Sequence, residues 1–204
     1  MRNEFLCIGI TLPDPSDDVK KEAVAITRFL QSGVIDFFHI RKPSATINVY
    51  KDLIDRIPTS LHSKLVIDNY PELVKKENIG GFHLKSSNKI HSFPEMLKEV
   101  FLTRSCHSLE EITEDDKKMY RYRFLSPIFN SISKAGYASK FDLDDENLKK
   151  GITNRNIVAL GGVEPRHYIK LNESKFVGAA LLGYLWQSKM TTDEIITALR
   201  AARN

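Results

Sequence analysis

Asn156-Ile-Val-Ala-Leu-Gly-Gly-Val163, followed by Pro165-Arg-His-Tyr-Ile-Lys-Leu171 and then Lys175-Phe-Val-Gly-Ala-Ala-Leu-Leu182, reads as a strand, a short amphipathic helix and a second strand. Both strand segments are continuous apolar runs rather than alternating ones, the pattern of strands buried on both faces of a parallel sheet. A helix between two such strands is the crossover that parallel pairing requires. The same alternation recurs outward from this unit. Further apolar runs occupy residues 5–11, 35–41, 64–68, 81–85, 100–106 and 121–127. Helical patterns occupy 19–31, 49–57, 71–76, 95–100, 109–118, 144–150 and 192–202. Eight strand–helix units in 204 residues predict an α/β protein with a single (β/α)8 TIM barrel forming one domain over 1–204. A doubly wound open sheet is the competing arrangement of the same elements.

Helix starts support this division. Ser108-Leu-Glu-Glu111 and Thr191-Thr-Asp-Glu194 match a capping box, in which a hydroxyl and a carboxylate satisfy the first turn's free N–H groups. The acidic run Asp142, Asp144, Asp145 and Glu146 opens a helix that ends in Lys149, Lys150 and Gly151, as the helix dipole favours, and this helix-start reading is preferred there to a metal site.

Composition narrows the class. Apolar residues are 42% and charged residues 27%, with a mean hydropathy of -0.29, which excludes a disordered chain. No apolar run approaches the 18 residues of a membrane span. Thirty Lys and Arg against 26 Asp and Glu give +4. That excess is too small and too scattered for a nucleic-acid surface and suits a site for small anions. Cys7 and Cys106 sit in apolar runs and are read as reduced thiols. With no signal peptide visible after Met1, the expected location is cytoplasmic.

In a barrel of this kind chemistry gathers where strands end. That rule collects Arg41, Lys42, Asp68, Asn69, Lys85, His107, Ser126, Lys134, Gly161, Gly162 and Gly183. Gly161-Gly162 and Leu182-Gly183 follow the last two strands, where backbone N–H groups commonly hold phosphate; tight turns needing positive φ are the structural alternative. Residues 126–140 form the longest connection without periodicity, and its Ser131, Ser133 and Lys134 suit an anionic ligand or a merely solvated loop. His62, His91 and His167 lie in polar stretches and are read as surface residues. His39 faces the same side of its strand as Arg41. His83 and His107 end strands, where an imidazole can move protons. No His-x-x-x-His or Cys-x-x-Cys spacing occurs.

From residue 35 to 185 these segments resemble the thiamine phosphate synthase/TenI family. Ile40-Arg41-Lys42 resembles its Leu-Arg-x-Lys element, Leu65-Val-Ile-Asp-Asn69 its Ile-Asn-Asp strand, and Gly81-Phe-His-Leu84 its Gly-Val-His-Leu. Ser105-Cys-His-Ser108 resembles Ser-x-His-Ser/Thr, residues 126–134 resemble Gly-Pro-Val-Phe-x-Thr-x-Thr-Lys, and Ala159-Leu-Gly-Gly-Val163 resembles Ala-Ile-Gly-Gly-Ile.

The resemblance implies a small phosphorylated thiazole as substrate and one of two activities. The synthase couples a pyrimidine diphosphate to thiazole phosphate with Mg²⁺; its metal ligands are an Asp of an Asn-Asp pair and an Asp of Gly-Gln-x-Asp. Here the pair reads Asp68-Asn69 and the second stretch Lys85-Ser86-Ser87-Asn88, while Pro43 stands at the lysine position of Arg-x-Lys, with Lys42 as a partial substitute. Neutral amides in place of carboxylates suit Mg²⁺ poorly. The TenI-type tautomerase uses no metal and no redox cofactor, and His107 matches the histidine with which it moves a proton on the thiazole ring. Ser105, Ser131, Ser133 and Lys134 would orient the ligand carboxylate, and Gly161, Gly162, Leu182 and Gly183 its phosphate. The expected function is therefore tautomerase first, Mg²⁺-dependent synthase second, through Asp68 or Asp142, and a non-catalytic phosphate-ligand regulator third. A homo-oligomer stays open, since Tyr184, Leu185 and Trp186 suit either the interior or a subunit face.

Overall fold

Eight parallel strands pair each with the next, and the last returns to the first: β1 (Leu6–Ile10), β2 (Phe37–Ile40), β3 (Leu65–Ile67), β4 (Gly81–Leu84), β5 (Phe101–Cys106), β6 (Tyr120–Leu125), β7 (Ile157–Ala159) and β8 (Gly178–Leu181). The closing ladder runs from Leu6 opposite Gly178 to Gly9 opposite Leu181. It removes the open sheet edge that the doubly wound alternative would leave. This computed structural model describes residues 5–14, 18–87, 97–113, 119–130 and 139–203.

Helices α1 (Val19–Gln31), α2 (Ile47–Asp55), α3 (Glu72–Lys76), α4 (Leu109–Thr113), α5 (Glu146–Ile152), α6 (Tyr168–Glu173), α7 (Gly183–Trp186) and α8 (Thr192–Arg203) surround the strands. Their starts follow the sequence signals. Asp18 accepts from the N–H groups of Lys20 and Lys21, and Asp145 from that of Asn147. Glu194 reaches back to the Thr191 N–H at 2.7 Å. The segment expected to be helical at 95–100 lies partly outside the described residues, and 97–100 make a tight turn into β5.

The two-residue period of a strand divides the core in two. Ile8, Ile10, Phe37, Val66, Tyr122, Phe124, Val158 and Ala180 pack together inside the barrel. Phe38, Ile40, Leu65, Ile67, Leu125 and Leu181 face outward into the larger layer shared with Ile26, Phe29, Leu53, Ile54 and Leu199 of the helices. Each such side chain removed from water contributes about 1.5–3 kcal/mol. Cys7 and Cys106 are both buried, and no disulfide joins them. Burial pushes the Cys7 thiol up to about 12. Among the described residues no helix is long and apolar enough to cross a membrane.

One histidine reading is corrected. His62, expected at the surface, is buried within a 3-10 turn at Thr59–Lys64. Its Nδ1 lies 2.7 Å from the Glu77 carbonyl and its Nε2 2.9 Å from that of Ile57. The polar neighbours concealed its role, which is to serve carbonyls left over where helices end. His91 lies outside the described residues, and His167 is half-buried, its ring stacked on Phe129 at 3.9 Å.

Candidate active site

The strand period that buries Phe37 also points His39 inward, and two residues on it brings Arg41 to the mouth. The same stepping on β4 places His83 inside and Lys85 beyond it, and on β5 gives Thr103, Ser105 and then His107. His39 and His83 face one another inside the barrel with ring centroids 5.2 Å apart. His39 Nε2 lies 2.8 Å from the Tyr122 hydroxyl, while His83 Nδ1 lies 2.8 Å from Thr103 Oγ1 and its Nε2 2.9 Å from Ser105 Oγ. Burial, with the positive charges of Arg41 and Lys85 close by, pushes His83 down to about 3. Burial and the neighbouring His83 hold His39 well below the usual imidazole range. Both rings are therefore neutral near neutral pH, beneath an electropositive opening.

His107 stands at the end of β5 with its side chain exposed. The start of α4 fixes its backbone: Glu111 Oε2 accepts from the His107 N–H at 2.9 Å while the Glu111 N–H donates to Ser108 Oγ at 3.3 Å. At the end of the neighbouring strand β6, Nδ1 lies 3.2 Å from the carbonyl oxygen of Ser126 and 3.3 Å from its hydroxyl. A carbonyl only accepts, so Nδ1 carries the hydrogen in that bond, and a neutral ring then presents a basic Nε2.

Lys42 does not join this group. One step past Arg41 it turns away from the mouth, its side chain fully buried with Nζ 2.9 Å from Glu22 Oε2. The ammonium also donates to the carbonyls of Leu12 and Asp14, each at 3.1 Å. It ties the loop after β1 to α1 instead of offering a charge to a ligand. Asp68 is nearly buried at the end of β3, and its Oδ1 accepts from the Tyr50 hydroxyl at 2.5 Å. The same hydroxyl accepts from the Lys42 N–H at 3.1 Å and from Asn69 Nδ2 at 3.4 Å.

Gly161 and Gly162 adopt φ of +96° and +63°. A Cβ at Gly162 would collide with the Asn130 carbonyl and stand 2.9 Å from Phe129 Cβ. The glycines thus let the loop after β6 lie directly against the loop after β7. Leu182-Gly183 opens α7, which Trp186 pins to the barrel by donating to the Ile10 carbonyl at 2.7 Å and packing edge-on against Phe29 and Phe38. Leu185 is buried on the barrel as well. Ser131, Ser133 and Lys134 lie outside the described residues. The chain that follows them is anchored by Ser139, whose hydroxyl donates to the Ile128 carbonyl at 2.6 Å.

Tyr50 and Thr103 were not among the residues selected from the sequence. Thr103 was within reach, standing two residues before Ser105 on one strand face; Tyr50 sits in a helix with nothing local to single it out.

A family model described as thiamine monophosphate synthase matches residues 10–185. The chain belongs to the thiamine monophosphate synthase family.

Similar proteins agree with that placement. The thiamine-phosphate synthase of Limosilactobacillus reuteri is 21% identical over 199 residues, covering 94% of this chain and 91% of its own. That of Pelagibacter ubique is 25% identical over 181 residues, covering 78% and 79%. The crystal structure of thiamine phosphate pyrophosphorylase from Bacteroides thetaiotaomicron superposes with a TM-score of 0.76 at 25% identity, covering 97% of this chain and 96% of that one.

The Mg²⁺ implied for the synthase branch of the family requires hard oxygens turned toward one point. The donors here do not fit it. Asp68 is engaged by Tyr50, its neighbour Asn69 is neutral, and Lys85 introduces a cation near the strand ends. Asp142 is exposed and its Oδ1 accepts from the Asp144 N–H at 2.9 Å. Among the described residues, no three His, Cys, Asp or Glu side chains gather as a metal site.

Proposed function

We propose that this family member is a thiazole tautomerase acting on a thiazole phosphate carboxylate without a metal. The observation that carries the reading is the exchange of charge at the mouth: Asp68 is held by Tyr50, and Arg41 and Lys85 stand close enough to His83 to depress it. A mouth that carries the Arg41 and Lys85 charges beside His83 suits a ligand bearing both a phosphate and a carboxylate. In this reading the backbone at Gly161, Gly162, Leu182 and Gly183 receives the phosphate, while Arg41, Lys85 and Ser105 face the carboxylate. Ser131, Ser133 and Lys134 are assigned to the same carboxylate in this reading. His107 Nε2 takes a proton from one ring position and returns it at another, so the ligand changes its pattern of double bonds with no net loss of protons or electrons. The Nδ1–H bond to Ser126 holds the ring in the tautomer that leaves Nε2 basic.

The second reading, a Mg²⁺-dependent synthase, is favoured by the names of the Limosilactobacillus reuteri and Pelagibacter ubique relatives. One pair of assays separates the two. Purified protein is given the non-aromatic thiazole phosphate carboxylate in EDTA, and separately thiazole phosphate with pyrimidine diphosphate and Mg²⁺. Conversion to the aromatic tautomer in EDTA, with no thiamine phosphate in the second assay, is the expected result. Rapid Mg²⁺-dependent thiamine phosphate formation overturns it. Binding of thiazole phosphate with turnover in neither assay would place the chain among phosphate-ligand regulators.

A further inference from the structure

His83 takes no part in the proton transfer assigned to His107, yet it sits nearly buried between two hydroxyls at hydrogen-bond distance. Thr103 is fully buried, and among the described residues its hydroxyl has one partner, His83 Nδ1. A hydroxyl out of water loses far more by orphaning its hydrogen than by leaving a lone pair unfilled. Thr103 Oγ1–H therefore donates to Nδ1. A neutral imidazole that accepts at one nitrogen donates from the other. The ring has no route to a second proton near neutral pH, because burial and the flanking Arg41 and Lys85 charges oppose it. Nε2–H accordingly donates to Ser105 Oγ, and the Ser105 hydroxyl hydrogen must point elsewhere. Ser105 is half-buried near the outer end of β5, so elsewhere is the mouth.

We infer that Thr103 and His83 are positioning residues that make Ser105 an obligatory hydrogen-bond donor toward an anionic oxygen of the ligand. β5 lies two strands round the closed barrel from β7 and three from β8, so this donor meets an end of the ligand other than a phosphate held beyond β7 and β8. On the functional reading above, on which this inference rests, that end is the carboxylate. A carboxylate presents only acceptors, so a site wired this way favours it over an amide or a protonated group of the same shape.

The test has one arm that needs no ligand. Nitrogen NMR of the His83 ring in the free protein is expected to show hydrogen on Nε2 and a bare Nδ1 from pH 5 to 8; hydrogen on Nδ1 overturns the proposal. The second arm measures affinity for thiazole phosphate carboxylate. His83→Gln keeps a donor at the Nε2 position and is expected to bind within about threefold of the parent, whereas His83→Asn and Ser105→Ala each weaken binding about tenfold, the loss expected for a hydrogen bond to a charged group. The Asn and Ala changes combined should cost no more than either alone. Parent-like binding by His83→Asn, or additive losses in the double variant, overturns the proposal. A parent protein that binds no thiazole phosphate carboxylate overturns the functional reading instead, and the ring tautomer is then judged on its NMR alone.

Discussion

Lys42 and Glu22 form an ion pair of 2.9 Å with both side chains withdrawn from water, joining the first helix to the ends of the first two strands. The Glu22 carboxylate also accepts from the Leu12 N–H at 2.9 Å, so one buried charge pair holds three pieces of backbone. Removing one member leaves the other's charge buried without this counter-charge.

Lys42→Met is therefore expected to lower folding stability by about 3–5 kcal/mol, the usual loss when one partner of a buried pair is removed. Replacing Glu22 with Leu in the same chain should recover part of that loss. Urea denaturation of the two variants measures it; a single variant as stable as the parent would contradict the burial argument.

His107→Asn keeps a donor near the Nδ1 position, and hence the contact with the Ser126 carbonyl, but deletes the basic Nε2. Tautomerisation is expected to slow by about 10²–10⁴-fold, the range for loss of a general acid–base group. Ligand affinity should stay within a few-fold. A raised KM with kcat unchanged would make His107 a binding residue.

Acid sensitivity follows from His83. Its folded value near 3 lies below the value of about 6.5 in an unfolded chain, so the unfolded state takes up the proton first as pH falls. The stability it contributes is complete above pH 6.5 and is lost on the way down to 3, at about 1.4 kcal/mol per pH unit. Between pH 7.5 and 5.0 denaturation experiments should show about 2 kcal/mol less stability in the parent, and a shallower fall in His83→Gln. His39, also depressed, leaves a residual slope of the same sign.

Gly162→Ala places a methyl group where the Asn130 carbonyl already lies, at a φ of +63° that favours glycine. An expected cost of about 1–3 kcal/mol should appear as a lower melting temperature and, because the loops after β6 and β7 are forced apart, as weaker binding of thiazole phosphate. An unchanged melting temperature would mean the two loops yield freely.

The barrel was legible because its signal is repeated: all eight apolar runs are strands, and the helix starts marked by Asp145 and Thr191 are capped as expected. Arg41 and Lys85 were legible for the same reason, each lying two residues beyond an inward histidine. Lys42 was not, because adjacency in the chain says nothing about which side of a strand a residue leaves by. Its destination depends on Glu22, twenty positions earlier in another element. The Tyr50–Asp68 contact is hidden in the same way, and His62 was concealed by polar neighbours that remain nearer the surface. Long-range pairings of this kind leave no periodic trace.

Trp186 is the only tryptophan in the chain, and it closes the four-residue helix that begins at Gly183. Its indole is fixed to the Ile10 carbonyl and packed edge-on against two phenylalanines, so its emission responds to small displacements of that helix. Intrinsic fluorescence excited at the red edge therefore monitors the segment proposed to grip phosphate, without a label and without reference to turnover.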